Sequence, residues 1–211
     1  MLSLYCCEGG SATGYAQAGM EVAGGVDKFP QPRFPFPFIE SDAIEFLKNN
    51  AEWIRAYIDL VDSSPPCQGY SATQRLHGKD WPALIGPTRE VLEWLGVPAI
   101  IENVEDARPE MRDPVTLCGS MFGLNTYRHR LIETIGWDLS APAHAPHERT
   151  TVKMGRAVKP GDQYHAVGHF SGVGYVREDM GVPWMTREGI AESVPPAYTR
   201  WIGRQFIARW A

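Results

Sequence analysis

The chain has 211 residues, of which 44% are hydrophobic and 21% charged, so one globular α/β domain with a real core is expected. It contains no run of about 18 apolar residues, which a membrane span would need. The net charge of −5 counts against non-specific nucleic-acid binding by a strongly basic domain. The first residues lack the segments of a signal peptide, which leads us to expect a cytoplasmic protein.

Short apolar segments alternate with helical patterns along most of the chain. Strands are predicted at 2–5, 22–26, 58–61, 98–101 and 131–135, and helices at 12–18, 43–49 and 88–95. Residues 31–38 alternate Pro with Phe and are predicted to form an extended loop. Strands that alternate with helices predict an α/β fold with a parallel or mixed sheet.

Residues 137–183 differ from the rest because Gly, Pro, His and Trp are frequent and periodicity is weak, which predicts a small irregular insert. Pro195-Pro196-Ala197 then opens a predicted C-terminal helix over 198–210. The predicted organisation is a core at 1–136, the insert at 137–183 and a C-terminal part at 184–211 that completes the core.

The chemically distinctive segments 6–10, 63–71 and 102–104, together with Asp27, each follow a predicted strand. Ligands of such sheets bind beyond the carboxyl ends of the strands, so a site is predicted at this edge. Glycines in 8–14 would let backbone approach a ligand, and Asp27 could accept both hydroxyls of a ribose. Such a turn can equally serve only to pack a strand against a helix.

Cys67 follows two prolines in the segment Ser64-Pro65-Pro66-Cys67-Gln68. Prolines rigidify the turn, and a thiol held beside a helix start or cationic groups would have a lowered pKa and could act as a nucleophile. The alternative is a buried structural cysteine. The surrounding string of residues favours the nucleophile.

Glu102 comes directly after an apolar strand, where partial desolvation should raise its carboxyl pKa. A protonated Glu102 could donate a hydrogen bond to a ring nitrogen, although a simple strand-end contact is the alternative. Arg128 and Arg130 begin a later strand and could hold a phosphate or orient a base. Their alternative is a pair of surface charges.

The four cysteines, at positions 6, 7, 67 and 118, have the spacing of neither a zinc site nor a disulfide framework. All but Cys67 are expected to be packing residues. His165 and His169 are four residues apart but lack further ligands, so no metal is expected. His144 and His147 lie near a basic stretch at 149–159, which we interpret as a solvated surface.

The order of these motifs resembles the cytosine-5 DNA methyltransferase family, most closely its compact phage and bacterial members. The resemblance is carried by Leu4-Tyr5-Cys6-Cys7-Glu8-Gly9-Gly10, Pro65-Pro66-Cys67-Gln68 with Ser71, Glu102-Asn103-Val104, Arg128-His129-Arg130, and Val194-Pro195-Pro196 with Ile202-Gly203. It implies one Rossmann-like domain that uses S-adenosylmethionine, with 137–183 as a reduced target-recognition region. The Pro-Pro-Cys-Gln segment is the most specific of these motifs.

The resemblance also implies roles for the matching residues. The S-adenosylmethionine site would comprise Tyr5, Cys6, Glu8, Gly9, Gly10, Asp27, Asp42, Pro65, Glu192 and Val194. The catalytic residues would be Cys67, Glu102, Arg130 and Arg128, and the substrate contacts Gln68, Ser71 and Asn103. Cys67 would attack carbon 6 of a cytosine flipped out of duplex DNA, and carbon 5 would take the methyl group.

Three positions depart from the family pattern: Cys7 replaces Gly, Thr126 replaces Gln, and Glu192 replaces Asn near the donor's methionine part. Only about 50 residues separate the arginine motif from the last motif, where the family carries a large recognition region. Methylation of RNA or of a free pyrimidine nucleotide, and a non-catalytic DNA-binding relative, are therefore kept as alternatives. A monomer is favoured, and restriction–modification is a role that the phage-like type suggests.

Overall fold

The computed structural model describes residues 1–70, 81–152 and 156–210. Within these ranges one sheet of seven strands is formed by β1 (Leu2–Leu4), β2 (Gly24–Asp27), β3 (Phe38–Glu40), β4 (Val61–Ser63), β5 (Ala99–Asn103), β6 (Val115–Leu117) and β7 (Arg130–Ile135). Its order is β3-β2-β1-β4-β5-β7-β6. Neighbours from β3 to β5 are parallel, and β7 runs antiparallel to β5 and β6. The predicted mixed, mostly parallel sheet is confirmed.

The helices of the described ranges are α1 (Gly10–Ala18), α2 (Ala43–Asn49), α3 (Ala51–Tyr57), α4 (Ile85–Leu95), α5 (Val173–Met180), α6 (Arg187–Glu192) and α7 (Pro196–Trp210). Short 3₁₀ turns cover Cys67–Gly69, Glu105–Glu110 and Gly119–Phe122. Helix α2 has the predicted bounds, whereas α1, α4 and α7 begin two or three residues early. None of these helices is long and apolar enough to cross a bilayer.

The sequence analysis missed β3 and β6, which are strands of three residues each. A strand this short has no room to display an alternating pattern. Both lie at the edges of the sheet, where one partner strand supplies the pairing that the local sequence does not specify.

Two apolar clusters cover the two faces of the sheet. Ile101 packs in the cluster that contains Leu47 and Leu92, whereas its neighbour Ile100 packs in the cluster that contains Tyr198. Successive side chains of a strand point to opposite faces, so β5 is buried on both sides. This explains why the strand is a continuous apolar run.

Helices α1 and α7 approach each other closely because Gly14 faces the start of α7. A Cβ atom at Gly14 would clash with Thr199 Oγ1 and with the carbonyl oxygen of Pro196. Thr199 Oγ1 also donates a hydrogen bond of 2.8 Å to the carbonyl oxygen of Ser11. The C-terminal helix is thereby fixed over the first βα unit.

The segment predicted as an irregular insert lacks helices and strands over much of its described length but contains α5. A small apolar cluster lies under this helix and extends beyond the predicted boundary at 183. Its buried members are Val158, Tyr164, Ala166, Phe170, Val176, Met180, Val182, Met185 and Ile190. The insert therefore has a core of its own, shared with α6.

Candidate functional site

The loops that follow β1, β2, β4 and β5 lie at one edge of the sheet, because the parallel strands end there together. Every described segment that the sequence analysis singled out after these strands is found at this edge. The site is best described loop by loop.

The loop after β1 is held in an uncommon backbone conformation. Tyr5 and Cys7 have φ angles of 53° and 44°, in the left-handed region that non-glycine residues seldom adopt. The Cys7 N–H donates a 3.1 Å hydrogen bond to Oδ2 of Asp27, at the end of β2. Tyr5 is fixed by a 2.8 Å hydrogen bond between its hydroxyl and Oγ1 of Thr88. The loop and Asp27 therefore form one rigid unit.

Glu8, Gly9 and Gly10 are engaged in packing within the protein. The Glu8 carboxylate accepts hydrogen bonds from the backbone N–H (2.7 Å) and the hydroxyl (2.8 Å) of Thr186. A Cβ atom at Gly9 would lie 2.7 Å from Pro35 Cδ, and one at Gly10 would lie 2.5 Å from the carbonyl oxygen of Val194. Glu8 and Gly10 therefore join the first loop to the C-terminal segments, whereas Gly9 packs against the loop before β3.

Asp42 caps the N-terminus of α2. Its Oδ1 atom accepts hydrogen bonds from the N–H groups of Ile44 (3.0 Å) and Glu45 (3.1 Å). The cap fixes the carboxyl group just after β3, beside the β2 end that carries Asp27. Val194 is buried and packs with the cluster below α7.

Cys67 opens a 3₁₀ turn directly after Pro66 and is partly buried. The turn is held from behind by Asn103, whose amide donates a 2.9 Å hydrogen bond to the carbonyl oxygen of Pro65. Asn103 is only 1% exposed, so it positions the loop from within the protein. Oε1 of Gln68 is buried without a hydrogen-bond partner among the described residues. Ser71, a predicted substrate contact, lies outside the described residues.

The pKa of the Cys67 thiol is raised, so the expected lowering is wrong for the unliganded protein. Burial is the main cause, and the positive charge of Arg130 opposes it without overcoming it. The negative charge of Glu102 adds to the rise. The raised pKa favours the protonated thiol of Cys67.

Glu102 and Arg130 form a buried ion pair beside Cys67. Glu102 Oε1 is 2.8 Å from Arg130 Nε, and the two side chains are 9% and 11% exposed. Burial raises the pKa of Glu102, although Arg130 works in the opposite direction. The register of β5 and β7 explains the pairing, because Glu102 and Arg130 lie at the ends of paired antiparallel strands.

Arg128 is buried and holds three segments together. Its guanidinium donates hydrogen bonds to the carbonyl oxygens of Ser193 (3.0 Å), Ala166 (2.7 Å) and Ala191 (2.6 Å). Burial and the nearby Arg130 lower its pKa to about 9. The structure thus gives Arg128 a positioning contact to the insert and the C-terminal region.

Two of the three departures from the family pattern lie next to each other. Cys7 Sγ is 3.9 Å from Glu192 Oε2, across the cleft between the first loop and the last motif. The pKa of Glu192 is raised by partial burial and by the charges of Asp27 and Glu8. Acidic groups therefore converge on this part of the cleft.

Asp62, on β4, is a buried residue that the sequence analysis missed. Its carboxyl group accepts hydrogen bonds from the hydroxyls of Ser11 (2.6 Å), Tyr15 (3.1 Å) and Ser3 (3.4 Å). Burial raises its pKa to about 6 despite these donors. Asp62 ties α1 to the centre of the sheet, directly below the first loop. An acid in a strand of three residues offered no sequence signal for this role.

Solved structures with the same fold are methyltransferases. One is a candidate DNA modification methyltransferase encoded within an E. coli prophage (TM-score 0.66, 15% identity, 98% of both chains covered). Others are Entamoeba histolytica methyltransferase EhMeth (TM-score 0.63, 10% identity, 100% of this chain and 98% of that one) and S. pombe Dnmt2 (TM-score 0.61, 14% identity, 99% and 98%). No protein-family model and no curated protein matches the chain. The likeness covers nearly the whole chain and establishes the fold.

Proposed function

We propose that this chain is an S-adenosylmethionine-dependent methyltransferase that methylates carbon 5 of cytosine in DNA, with Cys67 as the nucleophile. The observation that carries the proposal is the convergence of Cys67, Glu102 and Arg130 at the carboxyl edge of the sheet. These residues come from three separate strands or loops and place a thiol, a carboxyl group and a guanidinium together. A protein that only binds a ligand has no need of this set.

The residues around the first loop suit S-adenosylmethionine. That molecule carries a positive sulfonium and an amino group, and the cleft holds the carboxylates of Asp27 and Glu192 with Glu8 behind them. Asp27 lies at the end of β2, where an acid can accept the hydroxyls of a ribose. When bound, S-adenosylmethionine would supply an electrophilic methyl group.

Cys67 loses its proton to solvent and its sulfur bonds to carbon 6 of the ring, which makes carbon 5 nucleophilic. Protonated Glu102 donates a hydrogen bond to ring nitrogen 3 and stabilises the charge that develops there. Arg130 stays paired with Glu102 and orients the base. Carbon 5 would take the methyl group from the sulfonium of S-adenosylmethionine, whose S–CH₃ bond breaks to leave a neutral thioether. Water then removes the carbon 5 proton, and the Cys67–carbon bond breaks to restore the double bond and release the thiolate.

Glu102 can perform this role because burial raises its pKa and favours the protonated form. Cys67 has the opposite requirement, since its raised pKa disfavours the thiolate. Protonation of Glu102 favours the attack, because it removes one negative charge from beside Cys67 and leaves Arg130 to stabilise the thiolate.

DNA is the proposed substrate because the nucleophile, acid and arginine motifs all match the DNA-modifying family. A cytosine within a duplex is inaccessible, so it must be extruded into the cleft. Oε1 of Gln68, next to Cys67, has no hydrogen-bond partner within the described part of the chain and is a polar group that an extruded base could engage. The short insert leaves RNA and a free pyrimidine nucleotide open as alternative substrates, so the test includes each of them separately.

The test is mass spectrometry of nucleosides after incubation of duplex DNA, RNA or deoxycytidine monophosphate with the protein and trideuteromethyl-labelled S-adenosylmethionine. We expect labelled 5-methyldeoxycytidine from the duplex alone. The variants Cys67→Ala and Cys67→Ser should show no product while binding S-adenosylmethionine as the native protein does in calorimetry.

Labelled product from RNA or the free nucleotide alone would keep the chemistry and overturn the DNA assignment. Labelled product that persists in Cys67→Ala would overturn the nucleophile. Absence of both product and donor binding in the native protein would overturn the enzyme assignment and favour a non-catalytic relative.

A further inference from the structure

Four side chains that commonly bind metals lie together outside the proposed active site, where β6 ends and β7 begins. They are Cys118, His129, His144 and His147, and one ligand atom of each lies within 4.8 Å of all the others. Cys118 Sγ is 3.3 Å from His147 Nε2, and His144 Nε2 is 3.1 Å from the same nitrogen.

The two shorter distances are close to, and slightly below, the edges of a tetrahedral metal site, and the other pairs of ligand atoms lie within 4.8 Å. Zinc bonds of about 2.0–2.1 Å to nitrogen and about 2.3 Å to sulfur place neighbouring ligand atoms about 3.3–3.6 Å apart. Hydrogen bonding alone explains the arrangement less well, because His147 Nε2 faces both Cys118 and His144. One ring nitrogen offers either one proton or one lone pair, which serves a single partner well.

The surroundings of two of these residues also fit metal ligands. His129 Nδ1 lies 2.9 Å from Oε2 of Glu105, which leaves the other ring nitrogen to face a metal. Ser120 Oγ donates a 3.3 Å hydrogen bond to Cys118 Sγ. A carboxylate behind a histidine and a donor to a sulfur are the supporting contacts found around bound metals.

The fold brings the ligands together from distant parts of the sequence. In the β6–β7 pair Leu117 lies opposite Arg130. Cys118 directly follows β6 and His129 directly precedes β7, so the two residues lie side by side just beyond this pair. His144 and His147 come from residues 140–150, none of which belongs to an apolar cluster of the described residues. The His147 ring stacks on Tyr127, with ring centroids 3.6 Å apart. Little apolar contact therefore holds the part of the loop that carries His144 and His147.

We propose that Cys118, His129, His144 and His147 bind one structural zinc ion that fixes the 140–150 loop to the β6–β7 hairpin. Four protein ligands close the coordination sphere and leave no position for a reacting water. One thiolate with three imidazoles suits zinc better than magnesium or calcium, which prefer oxygen. Cys118 gives up its proton on binding, and the imidazoles bind in their neutral form.

This site is independent of the proposed methyl transfer, although it adjoins it. His129 lies between Arg128 and Arg130, so an ion bound to His129 would also steady Arg128 and the start of β7 at Arg130. The ion would thus fix the 140–150 loop, which lies outside the apolar clusters of the described residues.

The test uses untagged protein produced with added zinc, dialysed against metal-free buffer and analysed for metal by mass spectrometry. We expect about one zinc ion per chain. His144→Ala, in the exposed loop, and Cys118→Ser should lose it, whereas His169→Ala, an exposed histidine outside the cluster, should keep it. Circular dichroism confirms that each variant is folded, and Glu105→Gln should weaken zinc binding about tenfold.

Cobalt substitution provides a second readout that does not depend on activity. The native protein and His169→Ala should show the intense visible bands of tetrahedral cobalt and a thiolate charge-transfer band, and Cys118→Ser should lose the latter. The proposal is overturned if reduced native protein binds no zinc in competition with a chromogenic chelator. It is equally overturned if folded Cys118→Ser and His144→Ala retain zinc at the native level.

Discussion

The cleft at the strand ends and the cluster of Cys118, His129, His144 and His147 are built in different ways. In the cleft, each group follows a strand within a short motif, and the parallel sheet brings the motifs to one edge. In the cluster, the ligands come from a hairpin and a loop without helices or strands. Contiguous motifs can be interpreted before the fold is known, whereas dispersed clusters cannot.

Arg128, which precedes β7, lies between the two regions and donates hydrogen bonds to the insert and to the segment before α7. They also differ in packing, because the strands of the core are buried on both faces and the loop at 140–150 is largely exposed. Changes in the cleft should therefore affect chemistry, and changes at its supports should affect stability.

The largest effect is expected from Glu102→Gln, which removes the acid without changing its size. Turnover of labelled methyl transfer should fall by about 10²–10⁴-fold, because an amide N–H is a far weaker acid than a protonated carboxyl group and stabilises the charge that develops on ring nitrogen 3 less. Glu90→Gln, on the exposed surface of α4, is the matched control and should stay within a few-fold of native. Native turnover in Glu102→Gln would remove Glu102 from the proposed mechanism.

Arg128→Met should destabilise the protein by about 3 kcal/mol, because it leaves three buried carbonyl oxygens without a donor. Urea unfolding measures the change. Arg204→Met, at an exposed position of α7, should alter the free energy of unfolding by no more than about 0.5 kcal/mol. If the two variants were equally stable, Arg128 would not be the link between the start of β7, the insert and the segment before α7.

Asp62→Asn should change how stability depends on pH. The folded pKa of about 6 lies above the ordinary 3.8, so the contribution of Asp62 is fully present below about pH 3.8 and is lost as pH rises through 6. Native protein should therefore lose about 2 kcal/mol more than the variant between about pH 4.5 and about pH 7. Parallel unfolding curves for the two proteins over this range would contradict the raised pKa.

Gly14→Ala should cost about 1–3 kcal/mol, because its methyl group would clash with Thr199 and with the Pro196 backbone. Gly86→Ala, in α4, is the matched control, since its Cβ atom would meet no atom within 4 Å. It should stabilise the protein by about 0.4–1 kcal/mol. Thermal unfolding of both variants measures the contrast, and equal shifts would show that α1 and α7 are not in tight contact.

The smallest effect is expected in the titration of Cys67. Alkylation by iodoacetamide, followed by mass spectrometry of the Cys67 peptide, should reach half its maximal rate above pH 9, because burial raises the thiol pKa. Arg130→Met should move the midpoint higher still, since it removes the charge that lowers this pKa. Arg204→Met should leave it unchanged. A midpoint near neutral pH would restore the thiolate expected from the sequence.

The sequence predicted the type of sheet, four of the helices and the edge at which the motifs meet. Apolar runs and glycine or proline turns are local signals, and parallel strands necessarily end together, so these features needed no coordinates. Edge strands of three residues and the helix α5 escaped prediction, because packing partners distant in the sequence stabilise them.

The motifs of the sequence were enough to single out Cys67, Glu102 and the two arginines as candidates for the chemistry. The surroundings of each residue follow from the tertiary fold. Burial reversed the expected pKa shift of Cys67, and three backbone carbonyl oxygens accept hydrogen bonds from Arg128. It also brought Cys118 to the three histidines. Solvent exclusion and contacts between distant segments depend on the completed fold, which no local pattern encodes.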